Sequence, residues 1–144
     1  MQNIQERFSS ALFHTARVWR LSLDKRLKHL GLGQAGWTAI ALIAKSEEPL
    51  SQSELALRVG VEGATMVATI DRLAAAGLVE RHVSPTDRRV RLISLTQAGS
   101  AQYQIVRAEA EIFRRELLAG VDETMLLKVT ELLESLREAA EAGK

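Results

Sequence analysis

The sequence contains no cysteine. That absence removes disulfide scaffolding, thiol-based redox sensing and zinc sites built on thiolates. Its three histidines, His14, His29 and His82, lie too far apart in sequence to form a zinc motif, so neither a metal nor another cofactor is expected. There is also no paired-histidine site, no glycine-rich phosphate loop and no nucleophile elbow, and an enzyme is not expected. No apolar run approaches membrane-spanning length. The opening residues, Met1 to Glu6, are polar rather than a signal-like apolar core. These features lead to the expectation of a cytoplasmic protein with no membrane partner.

What is present is an ordinary globular composition. The 144 residues are 47% hydrophobic and 26% charged, enough for one domain with a real core and too little for two comfortable ones. The formal net charge of +1 hides an asymmetry. Residues 1–91 hold 13 Lys or Arg against 9 Asp or Glu, a net of +4, whereas residues 92–144 hold 6 against 9, a net of −3. The first two thirds are therefore the better partner for a polyanion.

From Ile4 to Leu30, apolar residues recur three or four apart (Phe8, Leu12, Trp19, Leu23, Leu27), with Arg and Lys on the other face. This spacing predicts one long amphipathic helix, broken by Gly31 and Gly33. Trp37 to Lys45 is apolar almost all round, as expected of a buried central helix, and Pro49 closes it. Ser51-Gln52-Ser53-Glu54 reads as a capping box flanked by Leu50 and Leu55 in staple positions, which predicts a short helix from Gln52 to about Val59. Gly60 can take the left-handed conformation that ends it, and a further helix runs from about Glu62 to Ala76 with Met66, Ile70 and Leu73 inward. Two short helices joined by a glycine-containing turn make a helix-turn-helix.

The period then changes. Leu78–Val83 and Val90–Leu95 are β-rich runs separated by Ser84-Pro85-Thr86-Asp87-Arg88-Arg89, a loop with turn chemistry at its start and arginines at its tip. Thr96 caps a helix through Leu118, Gly120 ends it, and Asp122 caps a last helix carrying Met125, Val129, Leu132, Leu133 and Leu136 on one side. The expected fold class is mainly α with a small β-hairpin (α+β): a winged helix-turn-helix lobe between N- and C-terminal helices.

Such a lobe suits double-stranded DNA. Its second helix would enter the major groove, where base edges are distinguishable, presenting Glu62, Gly63, Thr65, Val67, Ala68 and Arg72. The wing residues Arg88, Arg89 and Arg91 would reach phosphate or the narrow minor groove, with Asp87 pairing one arginine and holding the loop. The terminal helices carry more apolar positions than a small winged helix covers. Either a second copy takes up that surface, or the first helix packs on the last two within one chain.

Asp87-Arg88-Arg89-Val90-Arg91-Leu92-Ile93-Ser94-Leu95-Thr96-Gln97-Ala98-Gly99 fits the D-x-R-x5-L-T-x2-G signature of the MarR family of transcription regulators. The stretch from Asp71 to Arg81 resembles that family's path from recognition helix to wing. In the N-terminal part, Ala16–Arg20, Asp24–Lys28 and Gln34–Trp37 resemble the SlyA branch. The resemblance spans nearly the whole chain. It implies a single MarR-type domain over 1–144, with a DNA-binding lobe at 35–95 and a helical dimerisation region formed by 1–30 and 97–144. It further implies a homodimer on a palindromic operator, a nucleoid-associated location, and regulation by small aromatic carboxylates.

One position departs from the pattern. The SlyA branch commonly has an arginine where this chain has Ala68, and arginine to guanine is the commonest specific base contact. Reading by Thr65 and by apolar contact of Val67 or Ala68 with thymine methyls is expected instead, with the wing carrying more of the affinity. A ligand pocket is expected around His14, Arg17, Trp19, Arg20 and Trp37, which offer aromatic surface and guanidinium donors for an aromatic carboxylate. Both tryptophans also lie on helical core faces, and packing alone would account for them. The rival to a sequence-specific regulator is a non-specific architectural winged-helix DNA-binding protein.

Overall fold

A computed structural model describes residues 3–143. The chain forms two compact units, one running to Glu111 and the other beginning at Ile112.

In the first unit, α1 (Ile4–Leu27) starts on Asn3, whose side chain accepts from the Glu6 amide. It is shorter than the apolar spacing predicted, because Lys28–Leu30 tighten into a 3₁₀ turn that Gly31 ends in the left-handed region at φ 71°. The central helix α2 (Gly33–Lys45) begins before Trp37 and stops before Pro49. Its end is set by the Ser46 amide, which bonds back to the carbonyls of Leu42 and Ile43.

Next come β1 (Leu50–Ser51), α3 (Gln52–Val59) and α4 (Gly63–Ala75). The Ser51 hydroxyl accepts from the Glu54 amide at 3.1 Å, forming that half of the expected capping box. Gly60 takes φ 82°, and its amide and that of Val61 both bond to the Ala56 carbonyl, turning the chain sharply into α4. Two strands follow, β2 (Val79–Val83) and β3 (Arg91–Leu95), antiparallel with Val79 opposite Leu95 and Val83 opposite Arg91.

The hairpin is part of a three-stranded sheet of order β1-β3-β2, with Leu50 facing Ile93. Leu50 and Ser51 thus serve as strand residues besides their expected staple and cap positions. A two-residue strand has no periodicity to detect, yet both residues are buried by this pairing. The core lies under the helix-turn-helix, where Ile40, Leu55, Met66, Ile70 and Ile93 are each at most 1% exposed. The expected inward face of α4, Met66, Ile70 and Leu73, is the observed one.

α5 (Gln97–Leu118) is launched by Thr96. The Thr96 hydroxyl accepts from the Gly99 amide and donates to the Gly77 carbonyl, while the Thr96 amide bonds to the Leu78 carbonyl. A β-carbon at Gly99 would overlap that same Leu78 carbonyl. The threonine and glycine of the L-T-x2-G segment thus seat α5 on the start of β2.

The second unit contains the last turns of α5 and α6 (Glu123–Ala142). Asp122 caps α6 by accepting from the Met125 amide at 3.1 Å. Among the described residues none of α6 is buried, and Met125, Leu127, Val129, Leu132 and Leu136 are all exposed. In the first unit, Ile4, Phe8, Leu12 and Phe13 of α1 are exposed likewise. Among the described residues, no helix is long and apolar enough to cross a membrane.

Candidate nucleic-acid interface

The exposed side of α4 carries every residue expected of it. Glu62 sits at the N-cap with extended backbone, and Gly63, Thr65, Val67, Ala68 and Arg72 all face solvent. The side is narrow and mostly small, because Thr69 between them is buried and donates its hydroxyl to the Thr65 carbonyl at 2.8 Å. Ala68 and Val67 present methyl groups, whereas Thr65, Glu62 and Arg72 bring hydrogen-bonding groups to this side.

A residue the sequence reading left without a role fixes this helix. Arg81, on β2, pairs with Asp71 of α4 at 2.6 Å. Its guanidinium also donates to the Val67 carbonyl at 3.2 Å and to Gln52 Oε1 at 3.1 Å. One side chain therefore ties the first residue of α3 and the exposed side of α4 to a strand of the wing. Asp71 and Arg81 lie ten positions apart on different elements, so helical spacing could not pair them; their opposite charges were the available signal.

The wing tip is ordered by Asp87. Its carboxylate accepts from the Arg89 amide at 3.0 Å and from the guanidinium Nε and Nη2 at 3.1 Å each, the expected pairing made with Arg89. The Arg89 guanidinium, followed by the Arg89 amide, holds the Asp87 carboxyl below its ordinary value of 3.8, while a small desolvation acts the other way. Arg91, the first residue of β3, donates to the Arg88 carbonyl at 2.8 Å. The Arg88 guanidinium makes no bond to any described residue. The three arginines lie at or beside the wing tip but differ in commitment: Arg89 is paired with Asp87, Arg91 braces the backbone, and the Arg88 guanidinium is free among the described residues.

The five residues expected around a ligand are not brought together. Arg17 and Arg20 line a cavity of about 500 Å³ bounded by α1, α2 and the turn after α3. His14 does not line it; its ring meets Phe13 edge-on with centroids 5.3 Å apart. Trp37 is 7% exposed and its indole donates to Asp24 at 2.8 Å, so it belongs to the junction of α1 with α2. Trp19 is half-buried and lies outside the cavity lining. Of the five, this cavity thus holds the two arginines and neither tryptophan. Arg58 of α3 is a lining residue that the sequence reading did not include.

The model of the MarR family matches residues 30–90, which run from the end of the 3₁₀ turn through the wing loop. Over a wider span, the solved structure of transcriptional regulator PA3341 is 36% identical, with 94% of this chain and 98% of that chain aligned at a TM-score of 0.86. This chain belongs to the MarR family. The MarR fold is shared with more distant solved structures. CouR from Rhodococcus jostii RHA1, solved bound to p-coumaroyl-CoA, is 23% identical over 94% of this chain and 95% of its own, at a TM-score of 0.79. A mutant of MarR from E. coli is 21% identical over 94% of this chain and 97% of its own, at a TM-score of 0.74. The helices and the small three-stranded sheet of the described residues are this family's winged-helix architecture, and the MarR relatives are transcriptional regulators.

Proposed function

We propose that this MarR-family protein is a sequence-specific regulator that binds double-stranded DNA as a homodimer on a palindromic operator and is not an enzyme. The observation that carries the reading is the pairing of an exposed, small-residue face on α4 with a cationic wing, locked to each other through Arg81. The face offers Glu62, Gly63, Thr65, Val67, Ala68 and Arg72 to the major groove, and Arg88, Arg89 and Arg91 serve phosphate or the minor groove, with Asp87 orienting. In this reading residues 35–95 form the DNA-binding lobe, while 1–30 and 97–144 form the dimerisation region of a single-domain cytoplasmic protein working at the nucleoid.

A second copy accounts for the uncovered apolar residues on α1 and α6, which water would otherwise hydrate at a cost of roughly 25 cal/mol per Å². A two-fold dimer presents its two recognition helices symmetrically, which is why the operator would be palindromic. Modulation by a small anion rests on Arg17 and Arg20 at the cavity rather than on aromatic stacking. The solved complex of CouR with p-coumaroyl-CoA and the SlyA-like residues Ala16–Arg20 and Gln34–Trp37 both support a small organic effector.

Selection of bound sequences from random duplex DNA tests the reading. A regulator yields a palindromic consensus bound at least about a thousandfold more tightly than random duplex at one salt concentration. Equal affinity for both duplexes would favour a non-specific architectural protein instead.

A further inference from the structure

We propose that the cavity between α1, α2 and α3 is selective for a doubly charged anion of the phosphate-monoester class carrying a small apolar body, and that Arg58 is the residue that makes it so. The proposal rests on the small-anion effector reading above and specifies the chemistry of its ligand.

Three guanidinium-bearing side chains line the one cavity: Arg17 and Arg20 from α1, and Arg58 from the last turn of α3. No acidic residue is in its lining. Among the described residues none of the three makes an ion pair or hydrogen bond, whereas Arg26, Arg81, Arg89 and Arg107 are each paired with a carboxylate. Other arginines also have no carboxylate partner among the described residues, Arg88 at the wing tip among them, but these three share one cavity. Like charges brought together repel, and an anion relieves the repulsion in proportion to its charge.

A carboxylate has one charge and two oxygens, which a single arginine fork satisfies. A phosphate monoester has nearly two charges near neutral pH and three terminal oxygens, enough acceptors for forks arriving from two helices. Beside the polar Gln34 and Thr38, the wall has an apolar part at Leu21, Val59 and Val61, which suits a short aliphatic or single-ring body. Because no tryptophan lines the cavity, stacking does not select the ligand and charge does.

The position of Arg58 also gives the ligand a lever. Val59, Gly60 and Val61 form part of the wall and are the turn that launches α4, with Val61 two residues before Gly63. An anion shared between Arg58 and the α1 arginines connects that turn to α1. It favours whichever orientation of the recognition helix lets all three guanidinium groups reach it, and so shifts the DNA-binding equilibrium by its differential affinity.

The test is calorimetric titration of the full chain with benzoate, phenyl phosphate and inorganic phosphate, alongside operator-binding titrations. Phenyl phosphate is expected to bind at least about tenfold more tightly than benzoate at pH 7.5. That preference should shrink as pH falls through about 6, where the monoester dianion takes up one proton to become a monoanion and the carboxylate stays ionised. R58M, checked for an unchanged melting curve, is expected to bind benzoate as the wild type does and to lose the preference for phosphate; R58Q serves if R58M does not fold. If benzoate binds equally well or better, the effector reading stands and this proposal is overturned. If neither organic acid binds, both fall. Inorganic phosphate binding as tightly as phenyl phosphate would mean an adventitious ion only. Retention of the preference in R58M, or a loss of bare operator affinity in R58M without ligand, also overturns it, the latter by assigning Arg58 to the DNA backbone.

Discussion

Arg81 of β2 and Asp71 of α4 stand 2.6 Å apart, and the same guanidinium reaches the Val67 carbonyl, so the exposed side of α4 is fastened to the wing by one side chain. The pair is partly solvated, with Asp71 60% exposed, and an exposed ion pair contributes little to global stability. R81M is therefore expected to lower unfolding free energy by only about 1 kcal/mol in urea titration. Operator affinity should fall further, by about tenfold or ~1.4 kcal/mol, because helix and wing no longer hold their relative angle. A stability loss without a binding loss would show that the pair is only a brace.

Gly99 is expected to tolerate no side chain. A β-carbon there meets backbone rather than a flexible tip, since the Leu78 carbonyl is fixed by its bond to the Thr96 amide. G99A should destabilise by ~1–3 kcal/mol as α5 is pushed off β2. Gly120, with open space around its α-carbon, provides the control, and G120A should change the urea midpoint little.

The wing arginines should separate by their salt dependence. Arg88 is uncommitted within the described residues, so R88A should reduce the slope of log affinity against log salt by about 0.9, the release of one phosphate contact. Removing the carboxylate with D87N frees the Arg89 charge but loosens the loop. It should therefore strengthen binding to random duplex while weakening discrimination for the operator, measured by competition at a fixed salt concentration.

Acid should release the pairing of Asp87 with Arg89 at the wing tip. The Asp87 carboxyl is held below 3.8 in the folded loop, first by the Arg89 guanidinium and then by its amide. The contribution of the pairing is therefore complete above 3.8 and is lost as pH falls through the lower folded value. Carboxyl-carbon NMR titration should give Asp87 a midpoint below 3.8, and R89A should return the midpoint toward it.

The helix starts at Ser51, Thr96 and Asp122 were readable because each cap bonds to an amide three residues onward, a relation contained in a few adjacent positions. The inward face of α4 was readable from the spacing of Met66, Ile70 and Leu73. The wing arginines and the role of Asp87 were readable because the turn places partners two residues apart in contact. Three features were not. The end of α1 was overestimated because Leu30 continues the apolar spacing while the backbone has already tightened. The strand at Leu50 was too short for any pattern. Which of the five candidate ligand residues share a cavity was not legible either, because Arg17 and Arg20 line it while Trp37 turns to Asp24 and His14 to Phe13.

By itself, then, the sequence determined the order of elements, the helix-turn-helix and its cationic wing, since caps, helical period and turn chemistry act over at most a few residues. Only the tertiary structure decided that Arg81 joins helix to wing, that Gly99 must lack a side chain, and that Arg58 lines one cavity with Arg17 and Arg20. Each of these depends on which surfaces meet when distant segments pack. A pairing between elements is set by the whole core, and no local spacing encodes it.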